Sequence, residues 1–259
     1  MKCLCGETKS THLFSSGLYD IVRCSACGQV RTQARGKPKR TGYYEKEDVT
    51  VYIERQQMFR ALFVKLLRFI HRYAPGGTLV DIGAGVGLLL DEARKIGYEI
   101  IGLEPSKASV NAARKYFGIR LIAQEFAPGI VKKPVDVIVI NHVLEHLKHP
   151  KDIINRCAES LKARGVLVIG VPNFNSFMCR IKRGKWQSLI PAQHRWQFTL
   201  ETLDRLVLPH RFRRIAVSYD NHDRSMHYWW KKPIYWILDI VALMTGKAEA
   251  MVVIYQCSR

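Results

Sequence analysis

Between Thr78 and Val171 the apolar positions follow two alternating patterns. Runs that are apolar at nearly every position, at 78–82, 98–103, 119–123, 135–141 and 166–171, have the length of strands buried on both faces. The stretches between them, 86–97, 106–117 and 150–163, carry apolar residues at helical spacing. Such alternation predicts an α/β fold with a doubly wound, mostly parallel sheet. Upstream, Met58, Leu62, Leu66, Leu67 and Ile70 form a helical stripe within 54–73, which Pro75-Gly76-Gly77 stops. Downstream, Thr199 is placed to cap a helix running to Leu208, and Arg213–Tyr219 and Ala250–Gln256 read as two closing strands of a seven-stranded sheet. Residues 173–198 interrupt the alternation and read as a lid or substrate-binding insertion, as do 221–249.

The first strand runs directly into Asp81-Ile82-Gly83-Ala84-Gly85-Val86-Gly87. Glycines between a strand and a helix let backbone approach a ligand closely. The second strand ends at Glu104, where a carboxylate can accept both hydroxyl hydrogens of a ribose. A dinucleotide site wants Gly-x-Gly-x-x-Gly, but Leu88 stands where its third glycine belongs. Asp-x-Gly-x-Gly-x-Gly instead resembles the first motif of the class I S-adenosylmethionine-dependent methyltransferases. The resemblance continues in His142-Val-Leu-Glu145-His146-Leu-Lys-His-Pro150, similar to that family's "VLEHL…P" segment, and in Val171-Pro172-Asn173 and His194-Arg195-Trp196-Gln197-Phe198-Thr199. It covers roughly residues 55–257. It implies S-adenosylmethionine held by Asp81, Gly83, Gly85, Gly87 and Glu104, with Gln124, Glu125 and Phe126 as candidates for the adenine and Asn141 closing the floor. It also implies that the last strand inserts antiparallel.

His142, Glu145 and His146 are spaced to share one face of a helical turn, and His194 arrives from the insertion. Small-RNA 2′-O-methyltransferases and ubiquinone-pathway O-methyltransferases look similar here, with a Glu where His142 stands, and use the cluster for a divalent metal. With His142 the open readings are a metal site, a general base (His142 or His194) converging on the transferred methyl, or scaffolding. A histidine can take a proton at neutral pH, as a hydroxyl acceptor requires.

Cys3-x-Cys5 and Cys24-x-x-Cys27-Gly28 suit a four-cysteine structural zinc site, a staple that a short segment with few core residues needs. Methyltransferases of this kind resemble that layout, with a zinc ribbon reading "R-C-x-x-C-G" before a "Y-Y" element; Arg23–Gly28 and Tyr43-Tyr44 fit it. The expected organisation is therefore a zinc ribbon and basic linker over 1–42 and a methyltransferase domain over 43–259.

Composition changes the picture in one respect. Hydrophobic content of 47% is ordinary, but 41 Lys and Arg against 22 Asp and Glu leave a net charge of +19. That excess fits either a solvated basic surface or an anionic partner: nucleic acid, acidic lipid headgroups or a phosphorylated substrate. Arg180, Lys182, Arg183 and Lys185 concentrate it in the insertion. The aromatic and apolar segment Tyr228–Met244 reads as a helix over the acceptor pocket or as an element resting on a membrane. With no signal-like or membrane-spanning run and an odd count of seven cysteines, of which Cys157, Cys179 and Cys257 are scattered, the expected location is cytoplasmic, with peripheral contact at the inner membrane face. The acceptor expected is a hydroxyl of a sugar, lipid-linked glycan or small metabolite; RNA methylation and a non-catalytic zinc-ribbon nucleic-acid-binding protein are the alternatives. Sugar C-methyltransferases share the zinc-ribbon opening but carry a large further C-terminal domain.

Overall fold

The computed structural model describes residues 2–36, 49–221 and 232–258. Tyr43, Tyr44, the end of the basic stretch at 37–40, the boundary at 42/43 and Tyr228–Trp230 lie outside them.

The chain opens with three antiparallel strands, β1 (Ser10–Ser16), β2 (Tyr19–Cys24) and β3 (Val30–Ala34). Two helices follow, α1 (Val49–Glu54) and α2 (Gln56–His71). The expected alternation comes next: β4 (Thr78–Ile82), α3 (Leu88–Lys95), β5 (Glu99–Leu103), α4 (Lys107–Phe117), β6 (Val135–Asn141), α5 (Pro150–Ser160) and β7 (Leu161–Pro172). The insertion holds α6 (Phe177–Lys182) and β8 (Trp196–Gln197). The chain closes with α7 (Leu200–Val207), β9 (Phe212–Asp220), α8 (Lys232–Met244) and β10 (Ala250–Cys257).

The main sheet has the order β5-β4-β6-β7-β10-β9. β4, β5, β6 and β7 run parallel, and β10 lies between β7 and β9, antiparallel to both. Among the described residues six strands stand where seven were expected, because 119–123 is reduced to a bridge between Ile122 and Leu103. The expected helix 150–163 also stops early, at Ser160: Leu161 already pairs with Val135, and Arg164 takes a left-handed φ of 65° inside the long strand.

Successive strand residues face opposite sides of the sheet. Ile138, Ile140, Leu167 and Ile169 pack with Ile154, Leu203 and Leu206 under α5 and α7. Val137, Val139, Val166 and Val168 pack with Leu67, Ile70, Leu89 and Leu90 under α2 and α3. α7 begins as read, with Thr199 and Thr202 forming a reciprocal cap.

The insertion is a structural joint. β8 adds a fourth strand to the N-terminal sheet, pairing Val30 with Gln197 and Arg31 with Trp196. Ile21 and Val30 share a core with Phe174, Met178, Trp186 and Leu189. The Gln29 side chain donates to the Gln197 carbonyl, and the Arg205 guanidinium donates to the Cys27 carbonyl at 2.8 Å. Two residues of strand carry no period that a sequence reading can detect, so this union is visible only in the fold.

Candidate functional site

The site is built at the carboxyl ends of β4, β5 and β6, where ligands of open α/β sheets bind. The N–H groups of Gly83 and Ala84 both donate to the Leu103 carbonyl, which clips the glycine turn to the end of β5. Gly83 sits at φ 77°, and a Cβ there would stand 2.4 Å from Val143 Cγ2, so only glycine fits. Glu104 is buried and fastened at both oxygens: Oε2 accepts from Gly85 N–H at 2.9 Å and Oε1 from Ser106 N–H at 2.8 Å. Gly87 then caps α3. Asp81, Gly83, Gly85, Glu104, Asn141 and His142 line one cavity of about 770 Å3. Asn141 reaches it because Gly170 makes room: a Cβ on Gly170 would lie 2.0 Å from Asn141 Oδ1.

Asp81 is buried, and burial first, then the charge of Glu104, pushes its carboxyl up to about 7. Two carboxylates at one end of a largely apolar cavity favour a ligand that brings hydroxyl donors and positive charge. They also predict a pH signature. The native chain retains a proton on Asp81 through the window from 3.8 to about 7, where the unfolded chain has lost it. Stability contributed by that proton is full below the lower value and is lost as pH rises through the upper one. Denaturant titrations of the ligand-free protein across that window should show stability falling, and Asp81→Asn should remove that part of the slope. Equal slopes in both proteins would refute the assignment.

The turn that follows β6 departs from the expected geometry. Residues 142–147 do not form a helix. His142 takes a left-handed φ of 55° and donates its N–H to the Gly170 carbonyl, and the chain makes a tight turn with His146 N–H on Val143 O. The three polar side chains therefore do not share a face. His142 turns to the cavity, while Glu145 is only 1% exposed. His142 Nδ1 stands 3.5 Å from Glu145 Oε1, an ion-pair distance rather than a short hydrogen bond. His194 is buried beside His146, ring centroids 4.6 Å apart and edge to face, and is not among the cavity's lining residues. His142 and His194 thus do not converge on one spot. The Arg195 and Trp196 N–H groups both donate to the Glu145 carbonyl, so the turn also anchors the insertion.

Ligand atoms of Glu145, His146 and His194 lie within 4.8 Å of one another. Glu145 Oε2 and His194 Nδ1 are buried with no hydrogen-bond partner among the described residues. Burial lowers His146 and takes His194 down to about 4; burial would raise Glu145, but the surrounding imidazoles, His142 first, hold it below the ordinary carboxylate range. A carboxylate and two neutral imidazoles form a donor set that fits a divalent ion.

The four N-terminal cysteines meet as their spacing predicts. Cys3 and Cys27 sulfurs are 3.4 Å apart, those of Cys5 and Cys24 are 3.6 Å apart, and all four lie within 4.8 Å. Gly6 and Gly28 donate back to the Cys3 and Cys24 carbonyls, making the two knuckles. Burial raises the Cys24 thiol, but the N–H groups of Cys27 and Ala26 outweigh it and bring the thiol down to about 7, so a thiolate forms readily. Four sulfurs at this separation fit tetrahedral zinc.

Gln124 and Glu125 are exposed and Phe126 is buried in the core; none of them lines the cavity. The cavity's far wall was not anticipated. It comes from α2, through Met58, Phe59, Leu62 and Phe63, and from Ser218, Asp220 and Asn221 at the end of β9. Lys65 ties the two by an ion pair with Asp220 at 2.8 Å. The signal was present in the apolar stripe of α2: Met58 and Leu62 line the cavity, Leu67 and Ile70 enter the core, and Leu66 does both.

Residues 54–211 match a family model described as a methyltransferase domain. A ubiquinone biosynthesis O-methyltransferase of Rhodopseudomonas palustris is 28% identical over 105 residues, covering 39% of this chain and 42% of that protein. The chain thus spans less than half of that relative's length. A solved SAM-dependent methyltransferase from Archaeoglobus fulgidus superposes with a TM-score of 0.57 at 19% identity, covering 80% of this chain and 99% of that one. The plantazolicin methyltransferase BamL, solved with a triazolic desmethylPZN analogue and SAH, superposes at 0.58 with 18% identity over 84% of this chain and 92% of that one. These last two likenesses are of fold.

Proposed function

The chain belongs to the methyltransferase-domain family, and from that premise we propose that it transfers the methyl group of S-adenosylmethionine to a hydroxyl oxygen of a lipid-linked or small-metabolite acceptor. The observation that carries the reading is that the glycine turn, Asp81, Glu104, His142 and the apolar residues of α2 all line one cavity. The relative that methylates oxygen in ubiquinone biosynthesis supports the choice of atom.

S-adenosylmethionine, when bound, supplies an electrophilic methyl on a positively charged sulfur. Glu104 accepts the ribose hydroxyls while its backbone bonds keep it in place, and Asp81 faces the ligand's positive charge. Asn141 closes the floor. α2 holds the apolar part of the acceptor and excludes water. His142 takes the acceptor hydroxyl's proton, and Glu145 behind it orients the ring and favours the imidazolium that results. A second reading rests on the buried oxygen of Glu145 that lacks a hydrogen-bond partner among the described residues: Glu145, His146 and His194 would hold a divalent ion. With a histidine at 142 the set is poor in carboxylates and suits zinc or iron better than magnesium.

The test incubates the chain with methyl-tritiated S-adenosylmethionine and cell extract divided into lipid, soluble glycan and RNA. Label in the lipid or soluble fraction is expected. Label confined to RNA would favour RNA methylation, and absence of S-adenosylhomocysteine binding by calorimetry would end the methyltransferase reading. If a metal is required, a chelator should abolish transfer and added zinc or iron restore it.

The cysteine knuckles are proposed to hold one structural zinc. Elemental analysis should find about one zinc per chain, since a closed four-thiolate set binds one ion. Cys24→Ser should loosen the N-terminal sheet, because metal binding there is part of its folding energy. Hydrogen exchange should speed in β1 to β3 while S-adenosylhomocysteine still binds. A metal-free protein with a protected N-terminal sheet would overturn this.

A further inference from the structure

α8 presents an apolar face to the outside. Trp236, Ile237, Ile240, Val241 and Met244 are all exposed, Trp236 at 67% and Met244 at 82%. Their spacing places them on one side of the helix. The opposite side is seated: Ala242 is buried, and Leu238 packs on the core that Phe174, Met178 and Trp186 share with the N-terminal sheet. Single exposed apolar residues are ordinary, but a continuous stripe marks an interaction surface.

Positive charge collects beside it. The turn after α8 is joined to the insertion by Phe177 N–H on Lys247 O at 3.0 Å and by the Asn173 amide on Gly246 O at 3.1 Å. Arg180 lies close enough to help depress the Lys247 ammonium, after burial, below its usual value. Arg180, Arg183 and Lys185 are exposed, Lys182 is half-buried, and none of them forms an ion pair among the described residues. Ile181 stands exposed between them.

The described residues of α8 fall short of a bilayer's thickness. No described helix is long and apolar enough to span a membrane, and the 13 residues of α8 reach about 20 Å against a hydrocarbon core of about 30 Å. Lying flat, it has the composition of an interfacial element, apolar below and basic at the rim. Its inner side is also linked to the cavity: Asn221, which lines it, donates to the Asp239 carbonyl and accepts from Glu249 N–H, both at 3.3 Å.

We propose that α8 and the basic end of α6 form a docking surface for an anionic lipid bilayer, holding the cavity mouth against membrane from which an apolar acceptor enters. The docking surface stands on its own geometry, while its service to an acceptor rests on the methyl-transfer reading.

The experiment sediments the full chain with vesicles of phosphatidylcholine alone or mixed with phosphatidylglycerol, at low and high salt. Binding is expected to the anionic vesicles and to weaken with salt. Ile240→Glu with Met244→Glu should lower it about tenfold or more, by placing charge in the apolar seat. Arg180→Glu, Arg183→Glu and Lys185→Glu should each cost about fivefold on anionic vesicles alone. All these positions are exposed, and calorimetry with S-adenosylhomocysteine checks that each variant is folded; failure of that binding in the unaltered chain would count against the methyltransferase reading only. Three results would overturn the proposal: equal partition of the parent and the α8 variant, RNA retention without vesicle binding, or a self-association that Ile240→Glu and Met244→Glu abolish while vesicles are ignored.

Discussion

Glu104→Ala is expected to weaken S-adenosylhomocysteine binding by about 1.5–3 kcal/mol, roughly 10- to 150-fold, the scale of hydrogen bonds to a charged group. The side chain does two things at once. It is proposed to accept the ribose hydroxyls, and it already fastens the cradle, taking the Gly85 and Ser106 N–H groups on its two oxygens. Removing it leaves two backbone donors to find water and lets the glycine turn relax away from the ligand. Glu104→Gln is the finer probe: it keeps the shape but offers only one acceptor oxygen, so one of the two backbone ties must fail. Calorimetric titration of both variants, with thermal melting as the fold control, measures the effect. Unchanged affinity in Glu104→Ala would place the nucleoside elsewhere.

His142→Ala should lower methyl transfer by about 10²–10⁴-fold, the usual worth of a general base, while cofactor affinity stays near that of the parent. Its backbone is left-handed, at φ 55°, where alanine is strained. His142→Asn therefore accompanies it, since asparagine tolerates that conformation and still cannot act as the base. Turnover should fall alike in both variants. Glu145→Gln should lower turnover while leaving cofactor affinity near that of the parent, because losing the negative charge 3.5 Å from Nδ1 makes the imidazolium formed in the step less stable and the base weaker. Full activity of folded His142→Asn would reduce the cluster to scaffolding around the end of β6.

Much of the proposed nucleoside site could be read along the chain because its parts are local. Val80 to Gly87 is one strand and one turn, and a positive φ at Gly83 is a demand that only a glycine meets cheaply. Glu104 ends the next strand, and parallel neighbours in register bring their carboxyl ends together. The cysteine pairs were legible for the same reason, each knuckle being a short turn with its own backbone bonds. The second half of the site was not local. Spacing alone placed His142, Glu145 and His146 on one helical face, but the Gly170 carbonyl of the adjacent strand captures the His142 N–H and turns the chain instead. That bond separates an exposed histidine at the cavity from a buried carboxylate behind it, and it leaves His194 with the latter.

By itself the sequence determined the alternating elements, the α/β class, the glycine turn and the cysteine knuckles, since periodicity, turn chemistry and steric demands are properties of neighbouring residues. Tertiary structure alone decided which side of each element is covered. The apolar stripe of α2 divides between core and cavity because Leu67 and Ile70 pack with Leu79, Val137 and Val139 of β4 and β6, while Met58 and Leu62 face the cavity. The run 119–123 does not become a full strand because it meets the edge of the sheet at one bridge only. Trp196 and Gln197 become a strand because β3 is there to pair with them. The outer face of α8 remains exposed because Leu238 and Ala242 satisfy the core on the inner side, and burial is a relation between distant segments that no single stretch of chain carries.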